Sequence, residues 1–159
     1  MTSIQTPMGC FGALFSDCGL RRLHFPGTAV SSALPIGFPG EGQGREAVGL
    51  ALERELNEYF EGRLRTFTVP LDLQGTDFQR EVWGRVLEIP YGSTRTYSQV
   101  ARAMGRPLGA RAVGAANGAN PVPILVPCHR LVGASGDPTG YGGGIELKRW
   151  LLRLESQPG

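Results

Sequence analysis

Thr96-Tyr97-Ser98-Gln99-Val100-Ala101-Arg102-Ala103-Met104, then Gly105-Arg106-Pro107-Leu108-Gly109, then Ala110-Arg111-Ala112-Val113-Gly114-Ala115-Ala116-Asn117-Gly118, reads as two short helices around a glycine turn. Thr96 and Gln99 form a capping box, each side chain satisfying the other's orphan backbone amide. Gly105 and Pro107 end the first helix, and the second runs from Gly109 to about Gly118. The pair is a helix-turn-helix candidate. Its second helix carries almost only small side chains, whereas major-groove readout needs long polar ones. Such a helix can lie close to a narrow groove, with Arg111 as its one long side chain able to insert into a base stack. Ala/Gly packing against another helix explains the same composition, and both readings can hold on opposite faces.

Outward from this pair the second half stays mainly helical. Thr76-Asp77-Phe78-Gln79 is a second capping box opening a helix to about Glu88, which Pro90 and Gly92 stop. Glu146 to Glu155 is a last amphipathic helix, with Leu147, Trp150, Leu151 and Leu154 on its inner face. The first half reads as a small α/β unit. Ile4-Gln5-Thr6, residues 11–15 and residues 20–25 are short strands, and a Gly/Pro/Ser-rich loop runs from Gly27 to Gly44. Val48, Leu52, Leu56 and Tyr59-Phe60 then mark a helix, with Glu53, Arg54, Glu55 and Glu58 on its other faces and Gly62 as its C-cap. Residues 66–73 read as an extended joining segment. Two domains are expected, 1–73 and 74–159.

The chain has 159 residues, 41% hydrophobic and 19% charged, as in ordinary globular proteins. No apolar run is long enough to span a bilayer and no secretory signal opens the chain, so a cytoplasmic protein is expected. Residues 1–75 carry six Arg against eight acids, and residues 76–159 ten basic residues against six acids. From Ile89 to Gly136 there is no acidic residue, yet Arg95, Arg102, Arg106, Arg111 and Arg130 all fall there. Five guanidiniums without local counter-charge predict an electropositive surface suited to a phosphate backbone.

Within that zone lies Pro127-Cys128-His129-Arg130. A thiol beside an imidazole and a guanidinium is a candidate nucleophile, because neighbouring cations can lower a cysteine from its usual ~8.5. A buried packing cysteine is the competing reading. Cys10, Cys18 and His24 provide one ligand too few for a structural zinc, so no metal is expected and both cysteines are read as structural. The Gly140–Gly144 run lacks the ending of a phosphate loop.

Together these residues resemble the O6-alkylguanine-DNA alkyltransferases. The matching elements are Phe78-Gln79, Val82-Trp83, Ile89-Pro90-Tyr91-Gly92, Thr96-Tyr97, Ala110-Arg111-Ala112-Val113-Gly114, Asn120 through Arg130, Gly140-Tyr141-Gly142-Gly143-Gly144, Lys148, Leu151-Leu152 and Glu155. They cover about residues 74–155, in the family's order and spacing. The resemblance implies a ribonuclease H-like α/β first domain with a small antiparallel sheet and a helix. It implies a mainly α second domain with a winged helix-turn-helix-like DNA-binding motif. The implied activity is single-turnover transfer of an alkyl group from O6-alkylguanine, with O4-alkylthymine left open, in double-stranded DNA to Cys128 after base flipping. No cofactor and no membrane partner are implied. The protein is expected to be a monomer, with cooperative binding on DNA left open.

The roles the resemblance implies are specific. His129 acts as a base through water on Cys128, and Glu155 orients its imidazole. Tyr97 crowds the 3′ phosphate and donates toward N3 of the flipped base. Arg111 fills the vacated stack, and Ser98 and Arg106 contact DNA. Tyr141 lines the pocket, the Gly142 amide lies near O6, and the carbonyls of Cys128 and Leu131 accept from the exocyclic amine. Asn120 braces the turn before the cysteine. Two other readings of the same residues are a thiol hydrolase and a lesion-binding alkyltransferase-like protein without transfer. The acid-free zone weighs against the first, and the presence of Cys128 against the second.

Overall fold

In the computed structural model, which describes residues 1–28 and 43–158, the alternating N-terminal stretches become an antiparallel sheet. Strands β1 (Thr2–Thr6), β2 (Gly9–Phe15) and β3 (Leu20–His24) lie in the order β1-β2-β3. Ile4 pairs with Phe11 and Ala13 with Leu23, and the register slips at Leu14/Phe15. That register turns Ile4, Phe11, Ala13, Leu20 and Leu23 into the core. Helix α1 (Gln43–Phe60) packs beside β1 and buries Leu52, Leu56 and Tyr59. Gly62, at φ +75°, ends it, with the Arg63 amide donating to the Glu58 carbonyl and the Gly62 amide to that of Tyr59. The helix takes in Gly44, so the loop predicted for residues 27–44 ends earlier; residues 29–42 lie outside the described ones.

Two expectations for this unit are corrected. Glu55 is buried, because its carboxylate accepts the Thr68 amide at 2.9 Å, the Val69 amide at 3.3 Å and the Thr68 hydroxyl. Residues 66–73 are more than a joining segment. The Leu20 amide donates to the Pro70 carbonyl at 2.8 Å and the Asp72 amide to the Leu20 carbonyl at 2.9 Å, a parallel bridge on the sheet edge. The chain divides into the compact units Met1–Leu73 and Gln74–Gly159.

The second unit is built on helices α2 (Asp77–Leu87), α3 (Tyr97–Ala103), α4 (Ala110–Gly118) and α5 (Ile145–Ser156). Both capping boxes are formed, at Thr76/Gln79 and Thr96/Gln99. Strands β4 (Arg95–Thr96) and β5 (Leu131–Val132) pair in parallel. Trp83 of α2 is buried and its indole N–H donates to the Ala116 carbonyl of α4 at 2.8 Å. Small residues on α4 permit that approach. Val113, Ala116 and Asn117 face inward, as the helix-packing reading expects, while Arg111, Ala112 and Ala115 stay exposed on the opposite face.

The inner face of α5 differs from the expected one. Lys148, Leu151 and Glu155 are buried, whereas Leu147, Trp150 and Leu154 are only half-buried. Two charges therefore sit where apolar residues were expected. No helix among the described residues is long and apolar enough to cross a membrane.

Gly92 links the turn after α2 to the end of α5. Its φ is +79°, and a Cβ built there would lie 3.0 Å from the Glu155 carbonyl oxygen. Gly92→Ala is expected to lose about 1–3 kcal/mol of stability, from left-handed backbone and crowding together. Denaturant melts of the two proteins check this; a wild-type midpoint would contradict it.

Candidate active site

The approach to Cys128 is a buried and strained stretch. Residues 122–126 are enclosed, and Ile124, at φ +75°, is the one non-glycine residue with positive φ among the described residues. A β-branched residue adopts that conformation only when its surroundings impose it. Asn120 supplies much of the constraint: its amide donates to the Val126 carbonyl at 2.9 Å and its oxygen accepts the Val122 amide at 2.9 Å. The Val126 amide closes the loop onto the Val122 carbonyl at 3.0 Å. Residues Cys128–Arg130 then form one 3₁₀ turn after Pro127. Asn117 of α4, buried, donates to the Cys128 carbonyl at 3.2 Å, so the cysteine's backbone hangs from the small-residue helix.

His129 and Arg130 converge on Glu155. The His129 Nε2 lies 2.8 Å from Glu155 Oε1. Arg130 donates from Nε to Oε2 at 2.9 Å and from Nη2 to Oε1 at 2.8 Å, and its Nη1 donates to the Ile89 carbonyl at 2.7 Å. Burial alone would raise the Glu155 carboxyl. Hydrogen bonds and charge from His129 and Arg130 outweigh burial and bring it down to about 2. Burial lowers the imidazole below its usual value, with Arg130 and Lys148 adding to the effect against the pull of Glu155. The ring is thus neutral beside an ionised carboxylate. Nε2 must carry the proton that Glu155 accepts, which leaves Nδ1 with its lone pair as the basic nitrogen.

Two expectations are corrected here. Burial pushes the Cys128 thiol up, and hydrogen bonding from Asn120, the Lys148 charge, its own backbone amide and Tyr141 offset this only in part. The resting group is a protonated thiol. Arg130 does not activate it, since the guanidinium is 7% exposed, committed to Glu155 and Ile89, and set over the Tyr91 ring. The exposed basic zone therefore consists of Arg95, Arg102, Arg106 and Arg111.

The other candidate residues divide by position. The Tyr97 hydroxyl and Thr139 Oγ1 are 3.0 Å apart. The Leu131 carbonyl accepts from the buried Lys148 ammonium at 2.5 Å, and Lys148 also reaches the Thr139 carbonyl at 2.8 Å. Ser98 is half-buried at the start of α3, while Arg111 and Gly142 are exposed. The Arg106 guanidinium lies over the Phe78 ring, 5.2 Å from its centroid. Cys10 and Cys18 are exposed rather than packed, and no group of three metal-binding side chains occurs among the described residues. Asn117 and Lys148 also bear on Cys128; Asn117 was not among the residues expected there, and Lys148 had been given no role. Lys148 and Glu155, seven apart with Leu151 between, share one face of α5, and that spacing was the available signal.

A buried cysteine, followed in the chain by a neutral imidazole that pairs with an ionised carboxylate, thus lies in a unit that also carries an arginine-bearing helix pair. Residues 77–157 match the family described as 6-O-methylguanine DNA methyltransferase, DNA binding domain. A methylated-DNA–protein-cysteine methyltransferase of Methanosarcina acetivorans is 52% identical over 151 residues, 95% of this chain and 94% of that relative. The protein of the same name from Mycobacterium bovis is 61% identical over 101 residues, 64% of this chain, and the match spans 61% of that relative's length. The crystal structure of Mycobacterium tuberculosis OGT in complex with DNA gives a TM-score of 0.81 at 44% identity, covering 97% of this chain and 91% of that one. The chain belongs to the methylated-DNA–protein-cysteine methyltransferase family.

His129 and Glu155 both hold fewer protons in the folded state than in the unfolded chain at acid pH. Their contribution is complete above the ordinary histidine value of 6.5 and is lost as pH falls. His129 acts first, and Glu155 follows between its ordinary 4.5 and about 2, where it is worth about 3 kcal/mol. His24, lowered by burial and by Arg22, adds in the same direction. The urea midpoint is expected to fall steadily from pH 8 to pH 3. A midpoint that rises on acidification would contradict the neutral imidazole and the ionised carboxylate.

Proposed function

We propose that this protein repairs alkylated DNA directly, moving the alkyl group of O6-alkylguanine onto Cys128 in a single turnover. The observation that carries the reading is the pairing of a neutral His129 imidazole with an ionised Glu155 carboxylate, at the residue that follows the buried Cys128 in the chain. Family membership supports it, as does the complex of the M. tuberculosis relative with DNA. In this reading residues 74–159 bind DNA and carry out transfer, and residues 1–73 support them.

The chemistry is an in-line displacement. Duplex DNA shields the reacting carbon, so the base is extruded, with a few kcal/mol lost in unpairing and unstacking. Arg111, exposed on a helix face otherwise made of alanine and glycine, fills the vacated place, and Arg106 and Ser98 bear on the backbone. Through a water, Nδ1 of His129 takes the thiol proton as the sulfur attacks. The S–C bond forms as the C–O6 bond breaks, and the electron pair leaves with the guanine. A proton returned to the base completes the balance. Tyr97 donates toward N3 and the Gly142 amide toward O6, where negative charge develops. Tyr141 lines the pocket, and the carbonyls of Cys128 and Leu131 accept from the exocyclic amine. The Cys128 carbonyl already accepts from Asn117 and from the Leu131 amide, so the exocyclic amine joins it as a third donor, while the Leu131 carbonyl accepts from Lys148.

A neutral resting thiol fits this scheme. The proton leaves only when an alkylated base is in place and the His129 relay is engaged. The product thioether has no route back to thiol, so each molecule acts once.

Incubation with duplex DNA containing O6-methylguanine is expected to add one methyl group to the intact protein, at Cys128, and none to Cys128→Ser. An unchanged wild-type mass would overturn the proposal. Arg111→Ala is expected to slow repair of duplex DNA at least ~10-fold more than reaction with the free O6-alkylguanine base, because only the duplex requires extrusion. Equal losses on both substrates would remove Arg111 from that role.

A further inference from the structure

Lys148 is a buried cation for which the transfer scheme has no chemical step. Its side chain is fully enclosed, and an enclosed ammonium is unfavourable unless its donors are satisfied. Its partners are backbone carbonyls on two separate stretches. Leu131, at 2.5 Å, directly follows the Cys-His-Arg turn, and Thr139, at 2.8 Å, precedes Gly140-Tyr141-Gly142-Gly143-Gly144. The ammonium thus closes residues 131–139 across their base. Within that loop the Gly133 amide donates to the Asp137 carbonyl at 2.9 Å and the Gly136 amide to the Gly133 carbonyl at 2.9 Å.

The glycine segment after Thr139 needs such an anchor. Glycine-rich backbone loses more conformational freedom on ordering than any other, and four of these five residues are glycine. Tyr141, the fifth, must still be held at the thiol. Thr139 is gripped from a second side by the Tyr97 hydroxyl, and Lys148 Nζ itself lies 6.0 Å from the centre of the Tyr97 ring. One buried cation is therefore common to the Cys128 turn, the Tyr141 segment and Tyr97 of α3.

We propose that Lys148 is a positioning residue for alkyl transfer, its ammonium cross-linking the backbone that leaves the Cys128 turn to the backbone that carries Tyr141, with Tyr97 braced against the same junction. The proposal rests on the function proposed above. A second effect arises from the charge. The ammonium favours the thiolate over the thiol, partly offsetting the burial that pushes Cys128 up. The ionisable groups around it are Cys128 and His129 of the turn, Tyr97 of α3 and Tyr141 of the glycine segment.

The test compares Lys148→Met, which keeps length without charge or donors, with Lys148→Arg, which keeps both. Two rates are read on each full-length protein. One is carbamidomethylation of Cys128 by iodoacetamide against pH, followed on the Cys128 peptide and needing no DNA. The other is the single-turnover transfer rate at saturating O6-methylguanine duplex, alongside the Kd for unmodified duplex. For Lys148→Met the iodoacetamide profile is expected to move up by about one pH unit and the saturating rate to fall ~10–100-fold. The Kd should stay within about 2-fold, and Lys148→Arg should recover the profile. A Lys148→Met protein with the wild-type profile and wild-type saturating rate overturns the proposal, even if it melts earlier. Should that variant not fold, Lys148→Gln replaces it, and identical profiles for the Gln and Arg variants overturn the proposal equally. A wild-type protein that reacts with iodoacetamide but takes no methyl from DNA would refute the repair function while leaving the comparison between variants readable.

Discussion

The carboxylate of Glu155 is where this unit's chain segments meet. It lies near the end of α5, is almost wholly buried, and accepts from both His129 and Arg130. Through Arg130 it is tied to the Ile89 carbonyl after α2, and its own backbone carbonyl crowds Gly92 in the following turn. Removing a carboxylate from water is unfavourable by several kcal/mol, and attraction compensates only when geometry is good and every lone pair is used. Here a bidentate guanidinium and an imidazole supply that geometry. The same contacts that make the charge tolerable also decide which nitrogen of His129 can act as a base.

The cations divide the labour between them. Arg130, adjacent in sequence to the Cys-His pair, is spent on structure, whereas Lys148, eighteen residues beyond it, is the cation that acts on the sulfur. Sequence adjacency favours the wrong partner for the thiol. A residue at i+2 in a 3₁₀ turn projects away from residue i, and the guanidinium is drawn to the buried Glu155 carboxylate.

Much of this was legible beforehand. Capping boxes at Thr76 and Thr96, the glycine punctuation and the periodic helices are local signals, set by residues within one turn of each other, and they appear in the structure where the sequence placed them. The approach of α4 to α2 could be anticipated from its small residues. Its partner, the Trp83 indole, could not, because that contact spans 33 residues. Burial of Glu55, Lys148 and Glu155 was hidden for a related reason. A charge on an apolar stripe looks like an outward-facing exception until its distant partners, the Thr68 amide or the Leu131 carbonyl, come into view. The Cys128 thiol was misjudged in the same way: neighbouring cations are visible in sequence, whereas desolvation is a property of the finished fold.

Enclosure of Cys128 bears on how the protein keeps until it is needed. Oxidants and stray alkylating agents attack thiolates that solvent can reach. Cys10 and Cys18 present exposed sulfurs, whereas Cys128 is 5% exposed and protonated at rest. In the single-turnover transfer proposed here, slow chemistry in the idle state is a shelf life. In that scheme, the packing that dampens the thiol's everyday reactivity is what leaves it unspent for the one encounter that counts.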